Sequence, residues 1–300
     1  LYICFMNSKT KAHIAVLIAN LIFGAGYAVI KTITPQYLAP YSLNVVRVVV
    51  SLVLFWSLLL FKPSKVSIDK KDIPLFILCG ITGVAINQIM FVKGLALTSA
   101  IHSSLLSLAT PIFITIIAIW LLHEKFSINK FFGLALGIGG ASLLVLVKDV
   151  QSSNSSSLLG DLFILVNAIS YAFYMVLVKP LMEKYNALHV LRWVFTFGTI
   201  FILPIALPDF VATDWSMFGP PQWLALAFVV LLVTFLSYLF TVYGLSELGP
   251  SVTGAYIYTQ PVFATIIAMV FADEHFTIIK GAAAVLIFSG VYLVNRKKAI

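Results

Sequence analysis

The sequence predicts an all-α integral membrane protein of ten transmembrane helices, built as two inverted five-helix repeats. Three observations carry that prediction. The chain is 61% hydrophobic and only 10% charged over 300 residues, where an ordinary globular domain carries roughly 25% charged residues. Its apolar residues gather into ten runs, each near the ~20 residues that span a bilayer. The C-terminal half also repeats the N-terminal half.

The runs are 12–31, 41–61, 73–92, 101–122, 131–147, 158–178, 188–207, 223–243, 251–271 and 277–294. They are continuous rather than alternating, so they read as helices and not as barrel strands. With a cytoplasmic N-terminus, thirteen of the nineteen Lys and Arg residues fall on the inner side. Four (Lys31, Lys93, Lys148 and Lys280) fall outside, and Arg47 and Arg192 lie within spans. This asymmetry predicts that both termini are cytoplasmic in a cell membrane, with the bacterial inner membrane as the natural setting. The first run follows Lys9 and Lys11 as a signal peptide would. It is longer than the 7–15 residues of a signal h-region, so it reads as an uncleaved helix, with Met6 a candidate start.

The net charge of +8 does not indicate nucleic acid, because the positive residues sit at the ends of apolar runs. There is no HExxH, CxxC or phosphate loop, so neither an enzyme nor a cofactor or metal site is expected. Cys4 and Cys79 suggest no disulfide. The expected partners are the lipid bilayer and a small-molecule substrate. Gly133 and Gly137 form a GxxxG motif that serves close contact inside the bundle or a homodimer equally well.

The repeat is clearest at a shift of 150, where ten of the twenty residues from Pro111 to Lys130 recur between Pro261 and Lys280. Gly94 and Gly140 meet Gly244 and Gly290 at the same shift. Asn20 and Tyr27 meet Asn167 and Tyr174 at 147; Asn44, Arg47 and Ser51 meet His189, Arg192 and Thr196 at 145. These changes of offset are loop-length changes. The domain reading is a first repeat over 1–150, a Ser-rich connector over 151–157 and a second repeat over 158–300. Five crossings per copy is an odd number, so the second copy enters the membrane upside down. Inverted repeats are an architecture of secondary transporters, with the binding site between the copies near the midplane.

Two five-helix copies with short loops, each with a Pro in its fourth helix and a Glu thirteen residues later (Pro111 and Glu124, Pro261 and Glu274), resemble the EamA-type branch of the drug/metabolite transporter superfamily. The resemblance spans nearly the whole chain. It implies a carrier of small metabolites, commonly amino acids, often exporting or exchanging them. Nucleotide-sugar and sugar-phosphate carriers belong to the same wider group and are the alternative.

Polar residues inside the spans are the candidate substrate contacts, since such groups are costly against lipid and face a bundle interior or a wet cavity. On the first helix, Asn20, Gly24, Tyr27 and Lys31 share one face, and the sixth repeats this with Asn167, Tyr171 and Tyr174. The fourth carries Ser103, Ser107 and Thr110; the ninth carries Thr253, Tyr256 and Gln260. The third and eighth contribute Asn87-Gln88 and Tyr238. Pro111 and Pro261 each free a carbonyl of the preceding turn and are candidate gating hinges. Arg47 and Arg192 lie a few residues inside their spans; snorkelling to the interface, or gating by attracting anions, accounts for both. A channel is the rival from another class, but no charged ring or carbonyl filter is visible. The eleven acids fall in or beside loops, so proton coupling through a buried carboxylate is not expected, and His102 is the one plausible titrating group within a span.

Overall fold

The computed structural model describes residues 7–61, 67–122, 128–146, 157–271 and 277–295. Among them there are helices and no strands. We number the helical segments α1 (Ser8–Ile33), α2 (Pro40–Phe61), α3 (Ile73–Leu97), α4 (Ala100–Ser107 and Thr110–Leu122) and α5 (Ile128–Leu146). The second set is α6 (Leu158–Leu177, prolonged by a short helix at Lys179–Lys184), α7 (Ala187–Val211), α8 (220–255), α9 (Tyr256–Phe271) and α10 (Ile278–Asn295). Seven stretches, in α1–α4 and α6–α8, are long and apolar enough to cross a membrane. Shorter apolar helices occur at Phe131–Gly140, Tyr256–Phe271 and Gly281–Gly290.

Local chemistry explains the helix starts. Asn7, Ser99, Ser157 and Asn186 each accept a hydrogen bond from a main-chain N–H in the first turn that follows, satisfying a donor that has no intrahelical partner. The outward faces are apolar: Leu17, Ile18 and Leu21 on α1, and Ile200, Phe201 and Ile205 on α7, are all exposed. So broad an apolar exterior matches a lipid surface and would be unusual against water.

Helix pairing has a two-fold pattern. α1 packs chiefly on α8 and α9, while α6 packs on α3 and α4. α2 meets α7, α4 meets α9 and α5 meets α10. Exchanging each helix with the one five places away maps these pairs onto one another. The α5–α10 contact uses small residues: a Cβ on Gly290 would lie 2.5 Å from the Gly133 carbonyl oxygen and 2.7 Å from the Gly137 nitrogen. The GxxxG motif is therefore engaged inside the bundle, which removes it as a reason to expect a homodimer.

Two departures from regular helix recur at matching places. α3 widens to π-helix over Ile81–Ile86, and α8 over Phe228–Leu236. Such stretches misalign the main-chain ladder, and side chains take up the carbonyls. Ser170 Oγ donates to the Thr82 carbonyl, Thr234 Oγ1 to Val229 and Ser237 Oγ to Leu232. The second departure precedes the matched prolines: α4 breaks at Leu108–Ala109 before Pro111, and a 3₁₀ turn, Tyr256–Thr259, precedes Pro261.

Candidate functional site

A central cavity of about 120 Å³ lies between the copies, with room for on the order of ten waters. The first copy contributes Asn20, Phe23, Gly26, Tyr27, Arg47, Asn87, Phe91, Ser107 and Thr110. The second contributes Asn167, Tyr171, Met175, Val233, Tyr238, Thr241, Thr253, Gly254, Ile257 and Gln260. The wall is thus shared almost evenly.

Its polar groups are held in place. Asn20 Nδ2 donates to the Val16 carbonyl at 2.7 Å, and Asn20 Oδ1 accepts from Gln260 Nε2 at 2.7 Å. That carboxamide pair joins α1 to α9. Tyr27 donates to Ser107 Oγ at 2.9 Å, and Ser107 Oγ donates to the Ser103 carbonyl at 2.9 Å, fastening α1 to the broken part of α4. Asn167 Nδ2 donates to the Asn87 carbonyl at 2.8 Å, where α3 leaves its π-helical stretch. Phe195 meets Tyr238 edge-on, with ring centroids 5.0 Å apart.

Of the residues read from the sequence as substrate contacts, the cavity gathers Asn20, Tyr27, Asn87, Ser107, Asn167, Tyr171, Tyr238 and Gln260, together with Thr110 and Thr253 from the same polar faces. Gln88, Ser103, Tyr174 and Tyr256 lie outside its wall. Asn87 and Gln88 differ because consecutive helical residues point about 100° apart; Gln88 is 1% exposed and is not part of the wall. Tyr174 is buried over Gly83, where any Cβ would strike its ring. Tyr256 instead has its hydroxyl 2.8 Å from His13 Nδ1.

The two arginines need correction. Neither snorkels: Arg47 is 3% exposed and Arg192 2%. Arg47 lines the cavity, its Nε donating to Thr234 Oγ1 at 2.9 Å. Arg192 is off the cavity wall, its Nε donating to the Phe55 carbonyl at 2.9 Å. Each finds an acceptor on a neighbouring helix. Pro111 and Pro261 also lie off the wall, behind the helix breaks that border it.

Position near a loop misjudged one acid. Asp161 sits in the first turn of α6 and is 1% exposed, with Oδ1 3.1 Å from His102 Nε2 on α4. The same end is tied by Ser157 N–H donating to the Leu97 carbonyl and by Lys31 Nζ donating to the Thr98 carbonyl at 2.5 Å. Glu124, Glu274 and the serines of 151–156 lie outside the described residues. Among the described residues, no group of three or more His, Cys, Asp or Glu side chains could hold a metal ion.

Sequence reasoning passed over Phe23, Phe91, Met175 and Thr241 on the wall. Phe23, Phe91 and Met175 stand three or four residues from Asn20, Asn87 and Tyr171, so extending each polar face by one helical turn finds them. Thr241 lies three residues after Tyr238, on the same face.

Apolar, membrane-length helices around a shared cavity define the class as a multi-pass membrane protein. Known proteins give the family. The profile of the EamA-like transporter family matches residues 10–146 and again 158–296, and the chain belongs to that family. It is 25% identical over 294 residues to the uncharacterized transporter YetK of Bacillus subtilis (98% of this chain, 89% of that one). It is 27% identical over 299 residues to an uncharacterized transporter of Archaeoglobus fulgidus, covering 98% and 99% of the two chains. A probable terminal-alkyne amino-acid exporter of Streptantibioticus cattleyicolor is 26% identical over 230 residues, 76% of this chain and 74% of its own. A solved crystal structure shares the fold with a TM-score of 0.65 at 16% identity, over 96% and 98% of the two chains.

Proposed function

We propose that this protein is a secondary transporter of small metabolites such as amino acids, exporting or exchanging them by alternating access around the central cavity. The observation that carries the reading is the cavity itself: largely apolar and aromatic with polar side chains set into it, and lined by nine described residues of one copy and ten of the other. The two-fold pairing of helices supports two inverted five-helix repeats, 1–150 and 158–300, and ten crossings in all. In such a pair, rocking of one copy on the other opens the site to alternate sides. The Lys and Arg bias supports cytoplasmic termini in a cell membrane, and the bacterial relatives support the bacterial inner membrane.

The amino-acid class draws on the relative described as an amino-acid exporter and on cavity size, since on the order of ten waters is closer to an amino acid than to a nucleotide sugar. A sugar-phosphate carrier is the alternative, and a wall with a single cation speaks against it. Transport into liposomes tests the reading with a panel of amino acids, nucleosides and sugar phosphates. Saturable counterflow of an amino acid is expected. Linear, non-saturating flux would mark a channel instead.

A further inference from the structure

Among the described residues that line the cavity, Arg47 is the only charged one. Its Nε is held by Thr234 Oγ1 at 2.9 Å, and that hydroxyl is oriented by donating to Val229 across the π-helical turn at 2.9 Å. Arg47 Nη1 is buried without a hydrogen-bond partner. No Asp or Glu stands on the wall to neutralise it. An arginine has five N–H donors in a flat fork that matches a carboxylate, and a buried charge without a counter-charge is strongly disfavoured. Thr234 therefore holds, at the wall of a space the size of a small metabolite, a guanidinium that has no carboxylate beside it among the described lining residues.

We infer that Arg47 is the carboxylate anchor of the cavity and that the substrates are small monocarboxylates with an apolar or aromatic group. This rests on the carrier reading above. One cation with no second one nearby suits one negative charge; a phosphate dianion would leave a net negative charge in a poorly solvated space. Around the anchor, the Asn20–Gln260 carboxamides and the Tyr238 and Tyr171 rings offer carbonyl oxygens and π faces to an ammonium group. Phe23, Phe91 and Met175 take the apolar part.

The test measures binding to the purified full-length protein, with no membrane or flux needed. Thermal unfolding is followed with matched probes at millimolar concentration: phenylalanine against phenylalaninamide, 3-phenylpropanoate against 3-phenylpropanamide, and phenyl phosphate. Carboxylates should stabilise the protein and amides should not. Arg47→Gln should weaken carboxylate binding by about tenfold to hundredfold, the worth of a hydrogen bond to a charged group. Arg47→Lys, which keeps the charge but loses the fork, should retain part of it. Thr234→Val, which frees the guanidinium without removing it, should weaken binding while keeping the preference for carboxylates, so the test survives if Arg47→Gln does not fold. Equal stabilisation by acid and amide, stabilisation by phenyl phosphate alone, no stabilisation by any carboxylate, or unchanged binding in Arg47→Gln would each overturn the assignment. Carboxylate binding through Arg47 without saturable flux would refute the carrier reading and leave the anchor standing.

Discussion

Arg47 and Arg192 occupy matching positions in the two copies, yet one lines the cavity and donates to a buried hydroxyl of α8, while the other lies off the wall and donates to a main-chain carbonyl of α2. Asn20 and Asn167 both line the cavity but are held differently: the first pairs with the Gln260 side chain of α9, while the second donates to the Asn87 main-chain carbonyl of α3. The helix ends differ most. Where α6 begins, Asp161 and His102 are both buried and 3.1 Å apart. At the offset of 147 that relates Asn20 to Asn167, the counterpart of Asp161 is Ile14, which is 42% exposed. That end is joined instead by His13 and Tyr256, both half-buried. A duplicated scaffold keeps its helix pairs because apolar packing requires them. Its polar residues are free to specialise, and an asymmetric ligand such as an amino acid favours two unlike half-sites.

The sharpest way to break this comparison is at the helix ends. Removing one partner of a buried polar pair leaves the other unsatisfied, a loss of about 1–3 kcal/mol. Asp161→Ala should therefore lower the thermal midpoint far more than Tyr256→Phe, which gives up one half-buried hydrogen bond. Similar losses for the two would mean that the ends are equivalent. The same pair bears on coupling. We expect exchange or facilitated movement with no proton drive, but Asp161 brings a buried carboxylate to His102. In liposomes with the potential clamped, an imposed pH gradient should produce no uphill accumulation. Accumulation abolished in Asp161→Asn or His102→Gln, and retained in Glu124→Gln and Glu274→Gln, would assign coupling to this pair.

A smaller effect separates the asparagines. Hydrogen bonds between membrane helices average about 0.6 kcal/mol. Asn167→Ala should cost about that much stability and weaken transport less than Asn20→Ala, because the group it leaves behind is a main-chain carbonyl of α3 rather than a wall side chain. Asn20→Ala should cost similar stability but also weaken transport, because it leaves Gln260 unpaired at the wall. Unchanged transport in Asn20→Ala at normal expression would remove the carboxamide pair from the site.

The helices were legible because lipid allows no other structure to an apolar run of that length, and the repeat was legible because it survives as identities around Pro111 and Pro261. The polar faces were legible for the same reason as the spans. Which member of a matched or adjacent pair meets the cavity was not. That choice depends on how each helix is rotated, as Asn87 and Gln88 show. It depends also on local widening: the π-helical stretches carry no plain sequence signature, and one of them orients Thr234 to hold Arg47 inside the bundle. Burial of Asp161 was hidden because α4 covers the start of α6, a contact between segments about sixty residues apart.

The smallest effect belongs at the opposite end of α6, where an exposed network contrasts with the buried Asp161 pair. Lys184 Nζ contacts Asp69 and lies 2.6 Å from Asp72 Oδ2, and the Tyr185 hydroxyl also donates to Asp72. Lys184, and then Tyr185, hold the Asp72 carboxyl below its ordinary value. A carboxyl depressed in the folded state stabilises above its unfolded value, and that contribution disappears as pH falls through the folded value. Exposed pairs are screened by water and salt, so Asp72→Asn should lower the thermal midpoint only slightly at neutral pH and low salt. Wild type and variant should converge both below the usual carboxylate range and in high salt at neutral pH. A gap that persists in acid or grows with salt would mean that Asp72 acts through packing rather than charge, and would place this end of α6 with the buried one.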